Sequence, residues 1–133
     1  MTKIGVFSNP AAAAVGVGAA TRPYSGDDSE VFETADVYST KKTLRFIKDP
    51  NIFSPGSLVL GAELKTTEGS YDLGIFINGS NAFNITGAEN SYTLKSYSYD
   101  LGALGNAIHT LDFKLRNIGQ GTSANKLLDV YFY

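Results

Sequence analysis

A chain of 133 residues is long enough to bury one core and too short for two. With 43% hydrophobic and 18% charged residues it can offset its ordering entropy by burial, which excludes global disorder. Eleven basic and thirteen acidic residues leave a charge of -2, with no basic cluster denser than Lys41, Lys42, Arg45 and Lys48, so nucleic acid is excluded as a partner; the lack of cysteine excludes disulfides and thiolate metal sites.

Taken in chain order, residues 1–22 form an Ala/Gly-rich arm or edge strand ahead of a domain over residues 23–133. Met1-Thr2-Lys3 is not followed by the Leu-rich centre of a secretory signal, so no signal peptide is evident. No run of about 18 apolar residues is present to span a membrane. Asn9-Pro10 followed by four alanines and Gly16 reads as one capped helical turn, as a small flat strand or as an arm. An arm or strand carrying Ala12, Ala14, Val15 and Val17 is preferred, because a single Ala-rich turn does not hold without packing.

Period-two alternation dominates the rest. Strands are expected over 29–38 and 43–48, and most clearly over 57–65, where Leu58, Leu60, Ala62 and Leu64 share a face. Tyr71, Leu73, Ile75 and Ile77 repeat the pattern against Asp72, Gly74 and Phe76, and these two strands are expected to pair as a hairpin around residues 66–70. Further strands fall at 83–86 and at 92–101, where a change of phase predicts a bulge near Lys95-Ser96. In 109–117, Leu111, Phe113 and Leu115 oppose Thr110, Asp112, Lys114 and Arg116; in 127–133, Leu128, Val130 and Phe132 oppose Asp129, Tyr131 and Tyr133. Gly, Pro and Asn clusters fill the gaps, and no long helix is expected. The fold class is all-β, a two-sheet antiparallel sandwich, with a jelly roll first and an immunoglobulin-like topology second.

Candidate chemistry is sparse. His109 is the single histidine, and its parity with Leu111 and Phe113 makes it a structural histidine rather than a general base. One histidine without cysteine argues against zinc. No cofactor is expected beyond calcium, for which Asp27, Asp28 and Glu30 offer oxygen ligands on one loop; the competing reading is a solvated acidic loop. Tyr97 with Tyr99, and Tyr131 with Tyr133, are same-face pairs suited to stacking on sugars or on a partner, or to cross-strand packing. Asn78-Gly79-Ser80 and Asn84-Ile85-Thr86 match the glycosylation pattern, at positions where turns favour Asn anyway. An enzyme would need carboxylates such as Asp112 and Asp129 to meet in a cleft, whereas their wet-face positions suit salt bridges to Lys114 or Arg116.

The succession Ser57-Leu-Val-Leu-Gly-Ala-Glu-Leu64, Tyr71-Asp-Leu-Gly-Ile-Phe-Ile-Asn-Gly79, Ser91-Tyr-Thr-Leu94, His109-Thr-Leu-Asp-Phe-Lys-Leu-Arg-Asn117 and Leu127-Leu-Asp-Val-Tyr-Phe-Tyr133 resembles the C-terminal part of small jelly-roll modules. Two groups share this grammar, carbohydrate-binding-module-type sandwiches and the jelly-roll structural proteins of virions, archaeal viruses included. Carbohydrate modules usually present Trp, which this chain lacks. The leading expectation is therefore a non-enzymatic structural protein of a virion or extracellular surface assembly, acting on copies of itself or other structural subunits through sheet faces, edges or the arm. The alternative is a carbohydrate-binding module that meets glycans with its surface tyrosines.

Overall fold

The computed structural model describes residues 3–4 and 24–133, with side chains from residue 25 onward. The Ala/Gly segment, including Ala12, Ala14, Val15 and Val17, lies outside the described residues. The strands are β1 (Lys3–Ile4), β2 (Tyr24–Asp27), β3 (Val31–Glu33), β4 (Ser39–Lys48), β5 (Ser57–Thr66), β6 (Ser70–Ile77), β7 (Ser80–Gly87), β8 (Thr93–Asp100), β9 (Ala107–Ile118) and β10 (Ser123–Phe132). No helix of the described residues is long and apolar enough to cross a membrane.

Two antiparallel sheets result. Sheet A has the order β1-β2-β10-β5-β8, with β3 also on β10, and sheet B the order β4-β9-β6-β7. From β4 to β10 the chain changes sheet at every connection except β6–β7, which gives the orders 2-10-5-8 and 4-9-6-7 of a jelly roll. The predicted jelly-roll sandwich is the fold observed.

Alternation explains the core. One face of β5 (Leu58, Leu60, Ala62, Leu64) and of β10 (Leu128, Val130, Phe132) meets Leu44 and Phe46 of β4, Tyr71, Leu73 and Ile75 of β6, and Leu111, Phe113 and Leu115 of β9. Fully burying each of these large side chains is worth about 1.5–3 kcal/mol, and their strict period of two is what holds the register.

Two expectations are corrected. β5 and β6 do not form a hairpin: β5 pairs with β10 and β8, β6 with β7 and β9, and residues 67–69 carry the chain across the core from one sheet to the other. Both strands bury a complete apolar face, and facing sheets satisfy that as well as adjacent strands do, so alternation alone does not select the partner. The crossing is fixed by Thr66 N donating to Glu89 O, Thr67 N to Thr122 O, and the buried Asn117 amide donating to Thr66 Oγ1, Ser123 Oγ and Glu68 O at 2.8, 2.9 and 3.1 Å. The bulge near Lys95-Ser96 is also absent, since β8 runs in unbroken register along β5 from Thr93 to Asp100. The apparent phase change is an exposed Leu94 on an edge strand. Register shifts occur instead at Thr40/Lys42, Ile75/Phe76 and Asn125/Leu127.

Candidate functional site on the outer face of sheet B

The face of β6 turned away from the core carries Asp72, Gly74 and Phe76. Beside it, β9 presents Asp112, Lys114 and Arg116, and β7 presents Asn84. The residues between β3 and β4 bring Tyr38 onto this surface, where its ring meets Phe76 edge-on with centroids 5.3 Å apart. Gly74 is required beneath them: a Cβ there would lie 2.8 Å from the Phe76 ring and 2.9 Å from the Tyr38 ring.

Asp72 is the hub, with a side chain only 4% exposed. Its Oδ2 accepts from the Tyr38 hydroxyl (2.7 Å) and from Arg116 Nε (2.8 Å), and its Oδ1 accepts from Asn84 Nδ2 (2.9 Å). Asn84 Nδ2 also donates to the Tyr38 hydroxyl at 2.5 Å. Arg116 lies 4.4 Å over the Tyr38 ring and reaches Asp36 at 3.6 Å, while Lys114 lies 4.3 Å over Phe76. Burial, and next the bond to Asp72, push the Tyr38 hydroxyl up; the same carboxylate raises Arg116. Asp112 accepts from Thr43 Oγ1 (2.7 Å), not from Lys114 or Arg116 as expected. The result is a pre-arranged set of two rings and several planar polar groups on a sheet face.

The residues singled out from sequence are placed elsewhere. Tyr97 and Tyr99 point from β8 toward sheet B and stack on Phe83, at 4.4 and 5.2 Å between centroids. By parity Tyr131 belongs to the opposite face of sheet A, so the two tyrosine pairs form no joint platform. Asp112 and Asp129 lie on the outer faces of different sheets and do not meet in a cleft.

The acidic loop does not gather either. Asp27 points inward to Lys42 (3.5 Å) and accepts from Ser29 N and Oγ; burial pushes its carboxyl up, but those bonds and the lysine outweigh it and hold it well below the usual range. Glu30 accepts from the Tyr92 hydroxyl, above whose ring Lys65 and Lys126 sit. Among the described residues no three such side chains converge as a metal site.

His109 is buried and structural. Nδ1 accepts from Asn78 Nδ2 (2.9 Å), and Nε2 donates to Gly105 O (2.8 Å). Asn78 also accepts from Thr110 N (3.0 Å) and begins the β6–β7 turn, where Asn78 and Gly79 have φ of 52° and 85°. The amide nitrogens of both glycosylation motifs, Asn78 and Asn84, are thus engaged in hydrogen bonds within the fold.

No protein-family model matches the chain, and no curated protein does. Solved structures do. The insecticidal delta-endotoxin Cry8Ea1 from Bacillus thuringiensis aligns over 78% of this chain with TM-score 0.54 and 13% identity. This chain spans only 19% of the endotoxin. A structure described as "CBM4 structure and function" aligns over 83% of this chain and 71% of its own, with TM-score 0.51 and 12% identity. What the chain shares with both is the jelly-roll sandwich. At 12–13% identity both are likenesses of fold.

Proposed function

We propose that the chain is a non-catalytic glycan-binding module whose site is the outer face of sheet B around Asp72. The observation that carries this reading is the cluster on one open sheet face in which a buried carboxylate holds Tyr38, Asn84 and Arg116, with Phe76 packed on the Tyr38 ring and Lys114 over Phe76. A pyranose offers apolar C–H faces and hydroxyls that both donate and accept. Aromatic bodies cover the former, and planar amide and guanidinium groups pair with the latter. Holding those groups in place before binding lowers the ordering cost, which otherwise consumes most of the affinity for so polar a ligand. The fold shared with a CBM4 structure supports the reading without locating the site.

A glycan array followed by calorimetry on its hits tests this. Phe76→Ala and Asn84→Ala are expected to weaken binding at least about tenfold, equivalent to about 1.4 kcal/mol, while Tyr131→Ala on the other sheet leaves it unchanged. Binding that survives both sheet B substitutions, or no binding to any glycan, refutes the proposal.

A further inference from the structure

The hydrogen-bonding capacity left over in the Asp72 cluster is one-sided. Asp72 spends both oxygens on Tyr38, Arg116 and Asn84. The Tyr38 hydroxyl donates to Asp72 and accepts from Asn84 Nδ2, which also donates to Asp72. One neutral acceptor, Asn84 Oδ1, therefore remains in the centre of the cluster, beside cationic donors. Lys114 Nζ lies over the Phe76 ring and has no hydrogen bond or carboxylate partner among the described residues. Arg116 commits Nε to Asp72, and its Nη1 has only Asp36, 3.6 Å away with a side chain 55% exposed. Farther along the face, exposed Arg45 also lacks a carboxylate partner among the described residues. By formal charge Arg45, Lys114 and Arg116 balance Asp36, Asp72 and Asp112. The imbalance lies in which groups are spent: Asp72 is buried under three donors and Asp112 accepts from Thr43, whereas Lys114 and Arg45 are bonded to nothing.

We infer that the glycan taken by this face is acidic, its carboxylate or sulfate seated between Lys114 and Arg116 beside the Tyr38 and Phe76 rings. This rests on the glycan reading above and adds the charge of the ligand. A neutral sugar brings hydroxyls whose protons need acceptors, and a centre with one acceptor leaves most of them to water. An anionic group brings acceptors only, and its charge strengthens each bond. Lys114 and Arg116 stand two residues apart on one face of β9, about 7 Å along the strand, a gap that one such group bridges. Both cations are partly exposed, so each contact is worth about threefold in affinity and the two together about tenfold. Asp112, two residues from Lys114 on the same face, opposes the bound anion.

The test is a glycan array holding acidic sugars beside neutral counterparts, followed by calorimetry on matched pairs. Oligogalacturonate is compared with its methyl ester, which keeps the sugar and removes the charge, and dextran sulfate with dextran. The acidic member of one pair is expected to bind about tenfold more tightly in low salt, a preference that shrinks at about 0.15 M salt. Which pair shows it tells carboxylate from sulfate. Lys114→Gln is expected to cost the acidic ligand about threefold, Lys114→Arg to restore it, and Asp112→Asn to strengthen it about twofold, with the neutral counterpart unmoved. Neutral sugars bound as tightly as acidic ones, or an acidic preference that Lys114→Gln leaves intact, overturn the inference and leave the glycan reading standing. Binding to no sugar of the array overturns both.

Discussion

Replacing Asp72 with alanine removes the acceptor shared by Tyr38, Asn84 and Arg116. A buried donor left unpaired costs about 1–3 kcal/mol, and more where charge is involved. The three losses do not add in full. Arg116 is 31% exposed and can turn to Asp36 at 3.6 Å, Asn84 faces solvent, and the Tyr38 hydroxyl and Asn84 amide keep each other. A net loss of about 2–3 kcal/mol follows. With an unfolding entropy of about 2.1 cal/mol/K per residue, this lowers Tm by about 9 °C. Urea unfolding followed by far-UV circular dichroism reads the same quantity as a lower midpoint at unchanged slope. The double variant Asp72→Ala/Asn84→Ala should lose less than the sum of the single changes, because the two side chains share a bond. A loss under about 0.5 kcal/mol, the ordinary range of a surface substitution, would show that water replaces the network at no cost and would refute its role in holding Tyr38 on the sheet.

Asn117→Ala should cost about 3 kcal/mol or more in the same assay, since it strands buried Thr66, Ser123 and Gly121 groups at the sheet-crossing turn. Gly121→Ala should be worse, because its Cβ would meet Glu68 O at 2.2 Å, backbone that cannot step aside; Gly105→Ala, with open space around it, should stay within about 0.5 kcal/mol. The bonds from Lys95 and then Tyr71 hold the Glu89 carboxyl at about 2, against 4.5 for the free group. A depressed acid stabilises the fold above its unfolded value, and that contribution is lost as pH falls from 4.5 toward 2. Thermal unfolding across that window should therefore decline less steeply in Glu89→Gln than in the unmodified chain; parallel profiles would remove Glu89 from the account.

Much of the fold was legible in the residues, and the candidate site was half legible. Parity already set Asp72, Gly74 and Phe76 apart from the core-facing residues of β6, and Lys114 and Arg116 apart from those of β9. Nothing in the sequence said that β6 lies beside β9. The Thr66–Ser70 connection reads locally as a hairpin turn, and pairing β6 with β5 hid the surface on which those side chains meet. Tyr38 was harder still, because the strand expected over 29–38 stops at Glu33 and Tyr38 acts from the connection to β4, reaching over β9 to a glycine. Tyr97 and Tyr99 stood out as aromatics on a strand, yet which face of which sheet they occupied decided that they pack on Phe83 and not beside Tyr131.

What the sequence by itself determined is the set of faces: a period of two tells each strand which side to bury, and a chain with these apolar runs and turns becomes a sandwich. What only the tertiary structure decided is adjacency. Buried faces are satisfied equally by a neighbour in the sheet or by a strand across the core, so the choice falls to a few long-range bonds such as those of Asn117. That choice in turn creates the Asp72 cluster.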